Sequence, residues 1–406
     1  MAQSDSCRGD QDQLSWMSLN KDTDVVVIGG GVIGCAVAYY LARRGARVTV
    51  VERFGIGNGS SAANTGSINM ATKKPGIALS LGMASQRLYG GLAQELGCDL
   101  EYTVTGKLIV AETETELAYI EEMCAGQRAA GAPVEIVSAA RCRELNSLLE
   151  GRVLGGLYCP TDAQSNPFLV TQAYADAARN SGARIMTHTA VHAIETADGR
   201  VTAVATSQGR LRADWVVNAA GAYAAEIGKM AGAVHDVRPW RGQLVVLEAT
   251  ESLPVVGVSG ASQMLSKHAP AAADGAHGPL KAALYYCRRP FNGTVLLGST
   301  YEFAGYDLRT SQEGVAGICL CVTRTMPRLR KLNAVRSWAG LRPHSPTGPI
   351  LGRAGGADGY LVATGHGGDG MALAPITGLY LAETIARGGN CDLPGFLEEL
   401  KLAAAA

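Results

Sequence analysis

The stretch 24–52, DVVVIGGGVIGCAVAYYLARRGARVTVVE, restricts the possible folds more than any other part of the chain. The run Val25–Ile28 is β-branched throughout, as a strand buried on both faces requires. Val32, Ile33, Ala36, Val37, Tyr40 and Leu41 then follow at helical spacing, Gly45 stands at the stop position, and Val48–Val51 reads as a second buried strand. Between strand and helix, Gly29, Gly31 and Gly34 form G-x-G-x-x-G. Such glycines permit a tight turn, close approach of a pyrophosphate and close helix–strand packing, with the helix N-terminus facing the phosphates. Glu52 ends the second strand 23 residues after Gly29, where a carboxylate can hydrogen-bond an adenosine ribose. The chain therefore opens with a β-α-β unit built for a dinucleotide. Residues 25–42 carry no charge and are nearly long enough to span a bilayer. Three consecutive glycines, and Asp22 and Asp24 where a signal peptide would be basic, argue against a membrane segment.

Composition narrows the classes further. Thirty-six basic residues balance 36 acidic ones across 406 residues, so no long-range pull toward nucleic acid or anionic membrane is expected. Apolar residues make up 47% and charged ones 18%, which excludes a disordered chain. The ten cysteines show no zinc spacing, and Cys319 and Cys321 are the only close pair. Buried free thiols, a reducing cytoplasmic location and no metal site are expected.

Strand-like and helix-like stretches alternate along the chain without a repeat. Strands are expected at 105–111, 183–187, 190–195, 215–218, 294–298 and 360–364, and helices at 112–126, 167–181, 314–326 and 371–387. Residues 1–22 read as a flexible tail, and 252–280, rich in Ala, Gly, Pro, Ser and His, as a long loop. Two late segments bear on the choice of dinucleotide. NAAGAY, 218–223, ends a buried strand with small residues and permits a second close approach of backbone. GHGGDG, 365–370, lies between the last strand and the last helix, whose N-terminus would face an anionic flavin ring.

With these landmarks the chain resembles the D-amino-acid oxidase-like FAD enzymes, from about Asp24 to Pro394. The motifs are VVVIGGGVIG, VVERFGIGNGSSAANTG, NAAGAYAAEI, PWRGQLVVL, GSTYE, RSWAGLRPHSPTGPILG and GHGGDGMALAPITG. The family includes glycine and sarcosine oxidases, and in detail the motifs look closest to glycine oxidase, cyanide-forming glycine dehydrogenase, and the β subunits of opine and D-hydroxyproline dehydrogenases. The resemblance implies an α/β fold: a Rossmann-type, three-layer FAD-binding domain with an inserted α+β substrate domain on a mixed sheet. The FAD-binding domain would comprise 23–98, 153–234 and 334–392, the substrate domain 99–152 and 235–333, and a C-terminal helix or tail 393–406.

The same resemblance implies FAD held by Gly29, Gly31, Val32, Ile33, Gly34, Glu52, Arg53, Ser60, Ser61, Thr65, Gly66, Val191, Ala220, Gly221, Gly340, Arg342, Gly367, Gly368, Gly370 and Met371. Arg342, in GLRP, matches the arginine that grips the substrate carboxylate, for which a guanidinium offers a planar two-pronged fit. Tyr285 matches a tyrosine of the same pocket. His366, like His344, would tune protonation near the flavin, and these three, Arg342, Tyr285 and His366, are the candidate catalytic residues. The reaction implied is hydride removal from the Cα–H of an amino or imino acid to flavin N5, then hydrolysis of the imine.

Three departures stand out. Where relatives often carry an arginine after the closing histidine, this chain has Gly367, Gly368 and Asp369. A bulkier substrate, a second substrate-binding group elsewhere, or Asp369 facing a cationic substrate would follow. Gly340 stands near the position of the cysteine that tethers FAD in monomeric sarcosine oxidases, which favours noncovalent FAD. The stretch 161–166, TDAQSN, lacks the histidine that tethers FMN in heterotetrameric ones. GSTYE and the closing segment favour a dehydrogenase β subunit, whose partner subunits would contribute any FMN or iron–sulfur centre. The 252–280 insertion and the acid-free stretch 314–357 would offer partner surfaces. A stand-alone oxidase releasing hydrogen peroxide and a non-catalytic FAD scaffold are the competing readings.

Overall fold

A computed structural model describes residues 23–249, 252–268 and 280–405. The expected tail 1–22 and part of the 252–280 insertion, residues 269–279, lie outside them.

The opening β-α-β unit belongs to a six-stranded sheet. Its order is Ile350–Gly352, Tyr360–Thr364, Trp215–Asn218, Val25–Ile28, Val48–Val51 and Arg184–Met186. All neighbours run parallel except the first pair. Both faces are covered, which is why these strands read as continuous apolar runs. Val25, Val27, Val48 and Val50 pack against the helices Val32–Arg43, Pro167–Asn180 and Gly370–Ala386. Val26, Ile28, Val51 and Val216 pack against Ile194, Val201, Val204 and Leu211 of the small antiparallel sheet Val191–Ala197, Arg200–Thr206, Gly209–Arg212. Helices, parallel sheet and antiparallel sheet make three layers.

The second body is a mixed sheet of eight strands. From one edge they run Ala334–His344, Arg238–Leu247, Val295–Tyr301, Lys281–Arg288, Gly257–Gly260, Lys107–Ala111, Gly155–Cys159 and Glu135–Ser138. One face, with Val245, Val258, Leu284, Tyr286 and Leu297, packs against Ile318 and Val322 of the helix Gln312–Thr325. The opposite face, carrying Trp240, Gly242, Ser259, Tyr285 and Arg342, looks into the cavity described below.

Two sequence expectations need correction. The 252–280 segment is not one loop: Gly257–Gly260 is an interior strand of the mixed sheet and Ala261–His268 is a helix. Its small residues fit a strand whose neighbours press close, a condition set by distant partners. Gly155–Cys159 and Ala334–His344 join the mixed sheet, although the division by sequence places 153–234 and 334–392 with the dinucleotide unit. Long-range pairing, such as Trp240 opposite Arg342, decides this, and local pattern carries no record of it. The C-terminal segment forms the helix Leu393–Ala405.

Candidate active site

A cavity of about 710 Å³ runs from the glycine turn to the mixed sheet. Its first wall is the end of the parallel sheet. Gly29 adopts φ +113°, where a side chain is strained, and a Cβ there would lie 2.5 Å from the Ala219 carbonyl oxygen. Glu52 stands at the rim, its Oε2 accepting from the Gly30 N–H at 2.7 Å and its Oε1 from Phe54 N–H at 2.8 Å. Ser61 Oγ accepts from the Val32 N–H at 2.9 Å, at the start of the first helix. Ser60 donates to the Leu341 carbonyl and so ties this loop to the mixed sheet. The exposed Arg53 lies 3.8 Å over the Tyr223 ring. Ala220, Gly221 and Val191 complete this end, and beyond it Gly340 of the edge strand and Gly367, Gly368, Gly370 and Met371, at the N-terminus of the helix Gly370–Ala386, line the passage.

These features fit an FAD. Bare backbone borders the turn, a carboxylate stands at the end of the second strand, two helix N-termini reach the cavity, and its length connects both sheets. Val32, Ile33 and Thr65 line the same space. Gly34 and Gly66 are not among the residues that line it. A Cβ on Gly34 would overlap the Gly29 carbonyl oxygen, and one on Gly66 would overlap that of Ser165. Both glycines act by permitting backbone to pack on backbone.

The far end holds the three candidate catalytic residues. Arg342 leaves the edge strand Ala334–His344, donates to the Thr300 carbonyl at 3.1 Å, and stacks its guanidinium 4.6 Å from the Tyr301 ring centre. Among the described residues it has no ion-pair partner. Burial pushes its pKa down, while Tyr301 and Asp369 hold it up. Tyr285 is buried, and its hydroxyl has no hydrogen bond of good geometry, although Thr65 and Ser67 lie near it. Burial pushes its phenol well above the ordinary range. His366 is buried with Nε2 3.1 Å from Thr377 Oγ1, and burial lowers its pKa to about 4. It is therefore a neutral imidazole at neutral pH.

Asp369 is not left for a cationic substrate, as one sequence expectation had it. Its carboxylate lies 3.0 Å from Nζ of Lys73, whose side chain is 2% exposed. The pair joins residues nearly 300 positions apart, and no local motif announces it. Lys107 is a further cavity residue that the motifs do not reveal. Its one sequence signal is a charge inside an otherwise apolar strand, GKLIVA.

Residues 24–384 match the family described as FAD dependent oxidoreductase. The chain belongs to that family. This FAD-dependent oxidoreductase is 30% identical to the hydrogen cyanide synthase subunit HcnC of Pseudomonas aeruginosa, over 89% of this chain and 92% of that one. It is 30% identical to glycine oxidase of Geobacillus kaustophilus, over 90% and 93%. The crystal structure of that glycine oxidase superposes with a TM-score of 0.80, covering 93% of this chain and 98% of the other at 29% identity. L-proline dehydrogenase from P. horikoshii gives 0.79, over 93% and 96%, at 27% identity. Among the described residues of this FAD-dependent oxidoreductase, no helix is long and apolar enough to cross a membrane.

Proposed function

We propose that the protein oxidises the Cα–H of an amino or imino acid whose carboxylate is held by Arg342. The observation that carries this reading is a half-buried guanidinium without a carboxylate ion pair among the described residues, in the same cavity as the glycine turn. An unpaired cation in such a place is unfavourable until an anion joins it. A bound FAD would supply acceptance of two electrons from the Cα–H bond. The wall without thiols at Gly340 supports noncovalent FAD held by Gly29, Gly31, Glu52, Ser60, Ser61, Gly221 and their neighbours.

The protein's own groups act by orientation and field. Arg342 fixes the carboxylate, and the Tyr285 hydroxyl is free to donate a second bond. The cations at this end of the cavity lower the pKa of a bound ammonium and favour the neutral amine that oxidation needs. His366, held neutral, contributes hydrogen-bonding geometry and no charge.

The name of one relative, a hydrogen cyanide synthase subunit, supports a subunit role here, which we read as the catalytic β subunit of a heteromeric amino-acid or opine dehydrogenase. The glycine oxidase relatives favour a second reading, a stand-alone oxidase that uses dioxygen. Anaerobic addition of glycine, sarcosine, D-amino acids, prolines and opines to the FAD-loaded protein tests both. Bleaching of the oxidised flavin by one of them is expected, and none would refute the reading. Prompt peroxide formation by the isolated chain in air would select the oxidase over the subunit.

A further inference from the structure

Arg342 and Lys107 enter the cavity from opposite sides of the mixed sheet by the same device. Arg342 starts on the edge strand, crosses the second strand where residue 242 has no side chain, and ends at Thr300 and Tyr301 of the third. Lys107 starts on the sixth strand, crosses the fifth at Gly257, its register partner, and ends over Tyr285 of the fourth. A Cβ on Gly257 would sit 3.2 Å from Lys107 Cδ and 3.5 Å from Nζ, so a side chain there would crowd this path. The third and fourth strands are neighbours, with Gly298 opposite Tyr285. Adjacent strands and a three-residue offset along them put the two cationic heads on the order of 10 Å apart.

Lys107 is a costly residue to keep unless something answers its charge. It is 3% exposed, and its Nζ makes no hydrogen bond. Its Nζ lies 4.1 Å from the Tyr285 ring, a contact that returns only part of the lost hydration, and Asp162 across the adjoining void attracts it without a hydrogen bond. Lys107, Tyr285 and Ser67 also line a void of about 10 Å³ behind the main cavity, so they form the wall between the two. That void has room for about one water.

We propose that Lys107, with the Tyr285 hydroxyl, is a second anion site, and that the substrate is an amino or imino acid bearing a second carboxylate. This rests on the reading of Arg342 given above and deepens it. One carboxylate meets Arg342 and the other meets Lys107. A dicarboxylate whose ends each make a hydrogen bond of ~2.8 Å bridges a gap of this size. Lys107 acts here as a specificity-determining residue.

The test is equilibrium binding to the FAD-loaded protein, read from the flavin absorbance, of two thioethers that cannot be oxidised as amines. Thiodiacetate carries two carboxylates and (methylthio)acetate one. The expected result is about 10- to 100-fold tighter binding of thiodiacetate, the range of one charge-assisted bond. In Lys107→Met the ratio should fall toward one, and in Lys107→Arg it should be largely retained. Equal affinities in the unmodified protein overturn the proposal without recourse to any variant, and so does a preference that survives in Lys107→Met. In parallel, iminodiacetate should bleach the flavin with a higher kcat/KM than sarcosine. A binding preference without bleaching by any amino acid upholds the second anion site and overturns the oxidation reading. Bleaching by sarcosine with no dicarboxylate preference does the reverse.

Discussion

Arg342 reaches its place because residue 242 is a glycine. The two strands pair with Trp240 opposite Arg342 and Gly242 opposite Gly340, and the guanidinium folds back across residue 242. A Cβ built on Gly242 would overlap Nη1, Cζ and Nη2 of Arg342. Gly242→Ala should therefore move the guanidinium while leaving the glycine turn untouched. The expected outcome is a rise in KM for the amino-acid substrate of about 100-fold, the usual penalty for misplacing an orienting group. FAD content, read from absorbance, should stay near that of the unaltered protein.

Gly34 illustrates a different kind of necessity. A Cβ there would overlap the Gly29 carbonyl oxygen, a backbone atom that cannot swing aside. Gly34→Ala should cost about 2–3 kcal/mol and reduce FAD retention, because the turn must open to admit the methyl group. Denaturant unfolding and flavin content after gel filtration would measure both.

The Lys73–Asp369 pair should prove non-additive. Asp369→Asn removes the paired carboxylate of the buried Lys73 ammonium, leaving only the more distant Asp162, and is expected to lower stability by about 2 kcal/mol. Lys73→Met combined with Asp369→Asn should recover most of that loss. A double variant no better than Asp369→Asn alone would contradict the pairing.

His366 carries a pH signature of folding. Its pKa falls from 6.5 to about 4 on burial, so between those values the unfolded chain binds the extra proton and the folded one does not. Stability at this site is full above 6.5 and is lost as pH falls toward 4. His366→Gln should show a smaller drop in Tm than the unaltered protein between about pH 7 and about pH 5.

Lys107 titrates in the opposite sense for binding. Burial lowers its pKa to about 8, with Cys287 and Asp162 facing it and holding it up, and the Tyr285 ring against it. Its charge is present below that value and lost above it. The preference of the free protein for dicarboxylates should fade as pH rises through about 8, whereas monocarboxylate affinity, set by Arg342, should change little there. A preference independent of pH across this window would rule out Lys107 as its source.

The glycine turn was fully legible because its requirements are local. Gly29, Gly31 and Glu52 lie within one β-α-β unit, and sequence spacing translates directly into position. Arg342, Tyr285 and His366 were legible only through motif resemblance, since three different elements bring them to one cavity. Gly34 and Gly66 let backbone pack on backbone, a requirement visible only in the atoms around them.

By itself, then, the sequence determined a dinucleotide-binding start, which follows from periodicity and turn chemistry that short-range sterics enforce. The fold family and the carboxylate-gripping candidate came only through resemblance of its motifs to a known family. Only the tertiary structure decided that Asp369 is matched by Lys73, that Gly257–Gly260 is an interior strand, and that Lys107 shares a cavity with Arg342. The reason is strand pairing across long separations. Lys107 and Arg342 are 235 residues apart, and the register that sets Gly257 beside one and Gly242 in the path of the other arises only when the sheet closes.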